Sequence, residues 1–299
     1  MSPGALPRLT LLGYQATRPR LRVLRLPSET VEPSPVPLNR PVAIDHGFAR
    51  EGWFVLRPGR EVWGIPQSLD DKFALGEWLT CVPAANPRTV WLGDSTMALE
   101  YDGVQRREVG RVSLPGEETY VVAAVPEGLV LSRSRRLLLD NEPLVVADEV
   151  LATSGSRLVV AAHRSGQLSL VDASTGTITP VVMPFAGRWN GSGSFSPDGA
   201  WFALGLAEQD FTTRAMLEPD WTRLALIEVG TGAVTLAEGR IDNFATTPVW
   251  TADSRWLVFD APFDKSLFAC EIAAMRLQPL LRRRGRPSPL VDVTAFDGA

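Results

Sequence analysis

The sequence is short of the residue types from which most active sites are built. Its 299 residues include only two histidines, two cysteines and two lysines. A metal site with several imidazole ligands would need both His46 and His163 to converge on one place. Cys81 and Cys270 are too few for a disulfide framework or a zinc site, so we expect two buried free thiols. No apolar run approaches the roughly 18 residues of a membrane-spanning helix.

Motifs of the common hydrolases and nucleotide-binding proteins are missing as well. The segment Gly191-Ser-Gly-Ser-Phe195 lacks the closing glycine of a nucleophile elbow, and neither a phosphate-binding Gly-Lys-Ser/Thr loop nor an EF-hand pattern occurs. Asp45 and His46 do not fit a catalytic dyad, because adjacent strand residues point to opposite faces. We therefore predict no catalytic residue, no metal and no cofactor.

The charge balance limits the classes of partner that we expect. A formal net charge of −4 argues against a general nucleic-acid or anionic-membrane surface. Lys72 and Lys265 are the only lysines, and we interpret the excess of arginine as the codon bias of a GC-rich genome. The basic run at residues 282–286 is interpreted as a solvated linker or, alternatively, as a dock for an acidic partner. We expect a monomer that binds another protein or a peptide and has no membrane span.

The N-terminal segment Met1–Pro7 has neither the charged region nor the apolar region of a signal peptide. The expected location is cytoplasmic for the sequence as written, and extracellular or membrane-anchored if an N-terminal segment has been trimmed. Residues 1–8 are predicted to be disordered.

What the sequence does contain is a repeated turn between two apolar strands. In Ser196-Pro-Asp-Gly199 the proline fixes φ, the aspartate bonds its own backbone, and the glycine takes a positive φ. The segment Phe195–Leu204 aligns without a gap with Trp250–Phe259 and with Leu151–Val160. A hairpin with a Thr-Gly turn follows the first and third of these segments. Turn–strand–hairpin units repeated every ~40–50 residues are typical of propeller blades.

These motifs resemble those of the WD-repeat and TolB-like β-propeller superfamily over about residues 149–281. The Gly-His and Trp-Asp dipeptides of true WD repeats are absent, which favours the looser TolB-like class. The resemblance implies an all-β propeller, one domain over residues 1–299, that acts as a non-enzymatic protein-interaction or ligand-binding scaffold. It transfers no catalytic residue. The alternative is a metal-assisted, lactonase-like hydrolase or a lyase with a site at the central channel mouth, which could recruit Asp242, Asn243, Asp260 and Asn190.

The rest of the chain divides into further four-stranded units. The predicted strands are Leu9–Tyr14 and Leu21–Leu26; Val42–His46, Gly52–Leu56 and Glu61–Ile65; Leu79–Val82, Thr89–Leu92, Ala98–Tyr101 and Val109–Leu114; Tyr120–Val125, Gly128–Ser132, Arg136–Leu139 and Leu144–Val146. The three repeats occupy residues 149–183, 193–237 and 244–281. Leu69–Leu79 is predicted to form the one helical turn.

The two ends of the chain are predicted to meet in one blade. Leu290–Phe296 alternates well enough to supply a missing strand, and rings often close with strands from both ends of the chain. We therefore predict seven four-stranded blades with the first one shared between the N- and C-terminal strands; six blades is the alternative. Residues 27–41 are predicted to be a proline-rich connector, and residues 282–289 a basic linker before the closing strand.

A binding site is predicted on the longest internal loop, Ala207–Thr222. In a propeller this loop shares one face with the loops between blades, here Pro184–Ser192 and Glu238–Ala245. Aromatic and arginine side chains on such loops are the composition of interaction hot spots. The candidate binding residues are Arg188, Trp189, Asn190, Phe211, Arg214, Trp221, Arg240, Asp242 and Phe244. Alternatively, Trp189 and Trp221 fold inward and fill the gap between blades.

Overall fold

The computed structural model is built from β-strands and turns throughout the residues that it describes. These are residues 9–15, 20–26, 30–37, 44–50, 53–58, 60–66, 73–116, 118–162, 165–184, 188–207, 221–239, 241–242, 248–251, 253–261, 266–282 and 294–295. The chain forms two compact units: unit 1 comprises residues 1–42 and 183–299, and unit 2 comprises residues 43–182. The prediction of one domain over residues 1–299 stays a prediction. Over the described ranges no helix has the length and apolarity to cross a membrane.

Unit 1 contains three of the seven sheets that the described residues form, and we label these three A, F and G. Sheet A has the strand order β29-β1-β2-β3, sheet F has β20-β21-β22-β23 with β24 also on β22, and sheet G has β25-β26-β27-β28. All the neighbouring strands pair antiparallel. The strands are β1 (Leu9–Gln15), β2 (Arg20–Leu26), β3 (Thr30–Pro37), β20 (Arg188–Phe195), β21 (Trp201–Ala207), β22 (Trp221–Glu228), β23 (Val234–Leu236), β24 (Ile241–Asp242), β25 (Val249–Trp250), β26 (Trp256–Ala261), β27 (Ser266–Glu271), β28 (Arg276–Arg282) and β29 (Thr294–Ala295).

Sheet A combines strands from both ends of the chain. Leu11 pairs with Ala295 and Leu12 with Thr294, so β29 lies beside the N-terminal hairpin. The predicted connector over residues 27–41 contains a strand, β3 (Thr30–Pro37). Prolines are tolerated there because β3 is the edge strand and bonds only β2, with a register shift on β2 between Arg20 and Arg22. Residues 1–8 and the predicted basic linker after Arg282 lie outside the described residues.

Unit 2 contains the other four sheets, each of four antiparallel strands in sequence order. Sheet B is formed by the first four strands of this unit, and sheets C, D and E by each following set of four. The strands are β4 (Ile44–Arg50), β5 (Trp53–Pro58), β6 (Glu61–Pro66), β7 (Phe73–Glu77), β8 (Thr80–Pro83), β9 (Thr89–Gly93), β10 (Met97–Asp102), β11 (Arg107–Ser113), β12 (Tyr120–Val125), β13 (Gly128–Arg133), β14 (Arg136–Leu139), β15 (Glu142–Val145), β16 (Glu149–Ser154), β17 (Arg157–Ala162), β18 (Gln167–Asp172) and β19 (Thr177–Pro180). The predicted helical turn at Leu69–Leu79 is wrong, since Phe73–Glu77 pairs with β6 as a strand.

Consecutive sheets pack face to face in unit 2, and so do sheets F and G in unit 1. In unit 2, Trp53 and Val62 of sheet B share a core with Val90 and Leu92 of sheet C. In unit 1, Leu226 of sheet F belongs to the core that also contains residues of sheet G. The first strands of neighbouring sheets lie side by side, β8 with β12 and β12 with β16 in unit 2, and β20 with β25 in unit 1. Burial of both sheet faces supplies the main stabilising term.

In sheets C and E burial falls from the middle strands to the last strand. Four consecutive residues of β17, Leu158–Ala161, are buried, and so are four of β18. By contrast, six of the seven residues of β11 are exposed. The strand starting at Trp201 is covered on both faces, because Phe202, Ala203 and Leu204 are all buried.

The repeated turn is closed in sheet F by the side chains that the sequence singles out. The Trp201 amide donates to Ser196 Oγ at 2.9 Å, and Ser196 Oγ donates to Asp198 Oδ1 at 2.6 Å. The Ala200 amide donates to the same carboxylate oxygen at 3.0 Å. Gly199 has φ of 69°, as the turn requires.

Sheet G repeats this turn with different residues. The Trp256 amide donates to Thr251 Oγ1 at 3.0 Å, and Thr251 Oγ1 donates to Asp253 Oδ1 at 2.6 Å. Ser254 replaces the glycine and has φ of 57°. The third aligned segment closes differently, because Ser154 pairs directly with Arg157 and leaves a two-residue loop. The alignment thus identifies three hairpins. In two of them a hydroxyl and a carboxylate side chain close the turn, an arrangement that we call the bracket.

Candidate functional site

The candidate site lies at the end of sheet F opposite the Ser196–Trp201 turn. Here Arg188 pairs with Ala207, and Ala207 pairs with Thr222 on the next strand. The residues before Thr222 continue this edge, since Trp221 pairs with Asp242 of β24. The strand register therefore brings three separate chain segments to one end of one sheet.

The structure places five of the nine predicted residues on strands. Arg188, Trp189 and Asn190 open β20, Trp221 opens β22, and Asp242 ends β24. The predicted loops are therefore shorter than expected, because strands of sheet F extend into the segments that were predicted to be loops. The other four candidates, Phe211, Arg214, Arg240 and Phe244, lie outside the described residues, so the grouping of all nine stays a prediction.

Sequence reasoning missed the short strand β24, which brings Asp242 to this edge. After β23 the backbone of Glu238 bonds sheet G, donating its amide to the Met275 carbonyl at 2.7 Å. Gly239 follows with φ of 109° next to the Leu277 side chain. The chain then returns to β22 as the two-residue strand β24. A strand of two residues carries no periodicity in sequence, which is why this element was not predicted.

Sheet F is held to sheet G at several points near its first strand. The Trp250 indole donates to the Ser194 carbonyl at 3.1 Å, and Ser194 Oγ donates to the Pro248 carbonyl. The Asp198 amide donates to Ser254 Oγ at 3.1 Å, which joins the two repeated turns. These bonds fix β20, on which Trp189 is half-buried, within unit 1.

Hydrogen bonds lower the pKa of two carboxylates, one in the repeated turn of sheet F and one in that of sheet G. The hydrogen bond from Ser196 Oγ, followed by the bond from the Ala200 amide, lowers the pKa of Asp198 below its ordinary value. The corresponding bond from Thr251, followed by the Arg255 amide, lowers the pKa of Asp253. Both groups are surface carboxylates that hold a turn closed.

The residues considered for a metal-assisted alternative occupy three different strands. Asn190 pairs with Gly205 on β21, Asp242 pairs with Trp221, and Asp260 pairs with Leu267 on β27. Asn243 lies outside the described residues. Among the residues that the structure does describe, no group of three or more His, Cys, Asp or Glu side chains is arranged to hold a metal ion.

The prediction for the two cysteines is confirmed. Cys81 and Cys270 are free and buried. Burial raises the pKa of the Cys81 thiol to about 12, although the charge of Arg57 acts in the opposite direction. Burial, together with the nearby charge of Glu271, also raises the pKa of Cys270 to about 12. Neither thiol has the lowered pKa of a catalytic nucleophile.

Comparison with known proteins shows the fold. No protein-family model and no curated protein matches the sequence. Similar solved structures include a protein of Bacteroides fragilis NCTC 9343 named provisionally as a 6-phosphogluconolactonase, with 11% identity, a TM-score of 0.60, and coverage of 99% of this chain and 100% of that one. TolB from Acinetobacter baumannii has 12% identity and a TM-score of 0.55, with coverage of 96% and 65%. A chain of a nidogen/laminin complex has 12% identity and a TM-score of 0.52, with coverage of 96% and 97%.

At these identities the likeness concerns the fold and nothing further. The described part of the chain is all-β, and its antiparallel sheets follow one another in sequence as blades do. The solved structures span nearly the whole chain. The chain thus has the β-propeller fold, and its resemblance to WD-repeat and TolB-like propellers is confirmed at the level of the fold.

Proposed function

We propose that this protein is a non-enzymatic scaffold that binds another protein or a peptide at the end of sheet F. We call this end the F edge and define it by Arg188, Trp189, Asn190, Trp221 and Asp242. The observation that carries the proposal is the strand register, which gathers these residues from β20, β22 and β24. Tryptophan and arginine are the residue types most enriched where binding energy concentrates.

The placement of these residues on strands favours binding. Side chains on paired strands are held in fewer conformations than side chains on loops, so less entropy is lost when a partner binds. Trp189 is half-buried, which leaves part of its surface for contact. The similar chain of the nidogen/laminin complex has the same fold and comes from a protein complex, which supports the proposal at the level of the fold.

We further propose that the seven sheets are seven blades of one ring, closed in sheet A. The pairing of β29 with β1 supports this, because it completes a four-stranded sheet with a strand from the other end of the chain. Closure of this kind leaves no long unpaired edge for aggregation. A monomer is the expected state of such a ring.

The experiment for the F edge compares two single variants with a matched control. Immobilised wild-type protein, Trp189→Ala and Trp221→Ala are exposed to a cell lysate, and captured proteins are quantified by mass spectrometry. Trp63→Ala on sheet B is the control, because Trp63 is another half-buried tryptophan on a strand. We expect both F-edge variants to lose the protein that wild type and the control capture, with an unchanged melting temperature.

The opposite result has a clear signature. If the two tryptophans only fill space between blades, each alanine variant should lose about 3–5 kcal/mol of stability. Captured protein per folded molecule would then equal that of wild type. This outcome would contradict binding at the F edge.

The second candidate is the metal-assisted hydrolase, which the likeness to the protein named as a 6-phosphogluconolactonase supports at the level of the fold. Its test is the melting temperature with calcium, magnesium, manganese or zinc. A metal that binds only the folded state must raise this temperature. Our proposal predicts no shift with any of the four ions, and a saturable rise with one of them would favour the hydrolase.

A further inference from the structure

Unit 2 contains a cleft between sheets C and D, and none of the F-edge residues belongs to its lining. Its volume is about 300 Å³, at the lower end of the range for small-molecule sites. It opens between the turn that follows β8 and the two turns at the same end of sheet D. The lining residues are Ala85, Asn86, Trp91, Glu100, Val112, Ala124, Val125, Gly128, Leu129 and Asp140.

One wall of the cleft pairs an aromatic ring with a carboxylate. Trp91 and Glu100 are direct partners across β9 and β10, so both side chains lie on the face of sheet C that packs towards sheet D. On the next strand Gly110 leaves space beside them. A Cβ at Gly110 would lie 3.3 Å from Glu100 Oε2 and 3.8 Å from the Trp91 ring. Since Gly110 is not among the residues with positive φ, its backbone does not require glycine.

The two carboxylates of the cleft are held by neutral donors. Thr89 Oγ1 donates to Glu100 Oε1 at 2.6 Å, and the Leu129 amide donates to Asp140 Oδ1 at 2.9 Å. Within the described part of the chain neither carboxylate forms an ion pair. Two acidic groups thus face one cleft without a compensating cation from those residues.

The nearby arginines are engaged elsewhere. Arg88 lies 3.5 Å from Asp102, and Arg111 forms a pair of hydrogen bonds with Glu108 at 2.8 and 2.7 Å. Val112 is 41% exposed at the mouth of the cleft, and Leu129 is buried in its floor. The lining therefore combines an apolar floor, an aromatic wall and two negative charges.

We propose that this cleft binds a guanidinium group carried on a short aliphatic stem. A planar guanidinium can bond a carboxylate with two N–H groups and at the same time stack on an indole face. The stem would lie on the apolar floor, and Glu100 and Asp140 supply the opposite charge. The stem can belong to a free small molecule or to an arginine side chain of a partner. The inference is independent of the F edge, which lies in unit 1.

The test uses two pairs of probes that differ only in charge. Calorimetric titration of the full-length protein compares butylguanidinium with butylurea, its neutral isostere. A second pair, acetyl-Gly-Arg-Gly-amide and the same peptide with citrulline, presents the group as a side chain. We expect saturable binding of the cationic probes in about the millimolar range and no saturation with the neutral ones. A peptide that binds tighter than butylguanidinium would identify a partner chain as the source, and equal affinities a free cation.

Three variants locate the binding. Glu100→Gln keeps an acceptor for Thr89 but removes the charge, so affinity should fall about tenfold or more. Glu77→Gln makes the same charge change at an exposed residue of β7, outside the cleft, and should leave affinity unchanged. Gly110→Leu should abolish binding by filling the space beside Trp91, while both carboxylates remain.

Far-ultraviolet circular dichroism shows whether Gly110→Leu folds, and Glu100→Gln decides the question if it does not. Equal affinities of Glu100→Gln and Glu77→Gln would overturn the proposal, as would equal binding of butylguanidinium and butylurea. Failure of wild type to bind the cationic probes at about 10 mM, well above the expected range, would also overturn it.

Discussion

At the residue scale, two aspartates give the molecule a specific dependence on pH. Asp198 and Asp253 each accept one hydrogen bond from a hydroxyl and one from a backbone amide. These bonds lower the pKa of each carboxyl below its ordinary value of 3.8. A lowered pKa in the folded state means that the ionised carboxylate stabilises the fold above the unfolded pKa. That stabilisation is lost as the pH falls through the lower, folded pKa.

The first prediction follows from this sign. Between about pH 5 and pH 3, Asp198→Asn should lose less stability than wild type, because asparagine keeps an acceptor oxygen but does not titrate. The free energy of unfolding is measured by urea denaturation across this range. Glu142→Gln, an exposed carboxylate outside the turns, is the control and should follow the wild-type curve. Parallel curves for Asp198→Asn and wild type would contradict the role of the bracket.

The second prediction concerns the two thiols. With a pKa of about 12, Cys81 and Cys270 are thiolate in only about one molecule in ten thousand at pH 8. Iodoacetamide should therefore label neither residue in the native protein and both after denaturation, as measured by intact mass. Ser174→Cys, on an exposed turn, is the control and should react at once. Rapid native labelling of Cys81 or Cys270 would contradict their burial.

At the element scale, short hairpins were the most predictable feature. The strands of sheets C and D begin and end within a few residues of their predicted bounds, because tight turns and apolar alternation mark both ends. The turn at Gly199 was predictable for the same reason. The strand β7 was not, since a five-residue segment without turn signals is decided by its pairing with β6 and not by its own propensity.

The candidate site was predictable in composition but not in geometry. Aromatic and arginine residues mark the segments, yet the sequence does not show that Arg188 and Trp221 begin strands. Their register depends on a shift between Asn190 and Ser194 on β20, and such bulges have no reliable sequence signal. The predicted loops next to the F edge therefore include residues that belong to the strands β20, β22 and β24.

The third prediction tests this irregular part of β20. A Cβ at Gly193 would lie 2.6 Å from the Ala203 carbonyl oxygen and 2.1 Å from Phe202 Cζ. Because a backbone atom and a buried ring must move, Gly193→Ala should cost about 1–3 kcal/mol. Gly230→Ala is the matched control, since nothing lies within 4 Å of the added carbon. The control should stay within about 0.5 kcal/mol of wild type, and an equal effect of both variants would contradict the packing of β20 on β21.

At the scale of the whole molecule, the organising feature is sheet A, in which both ends of the chain take part. In the ring that we propose, the last blade joins the first through strands from both ends of the chain. The pairing of β29 with β1 supplies a strand from the C-terminal end to the N-terminal hairpin. Alternation in residues 290–296 predicted a strand there, whereas its partner and register are set by tertiary contacts that no local pattern encodes.

The most direct test of the account is an engineered disulfide between the two ends of the chain. Leu11 and Ala295 are paired across β1 and β29, and the Cα atoms of such pairs lie about 4.5–5.5 Å apart, within disulfide reach. Leu11→Cys combined with Ala295→Cys should form an intramolecular bond in the native protein and raise its stability by up to about 5 kcal/mol. The control combines Leu11→Cys with Thr294→Cys and should not close, because successive residues of a strand face opposite sides of a sheet. Mass spectrometry that finds no internal bond in the first variant, or equal bonding in both, would contradict closure in sheet A.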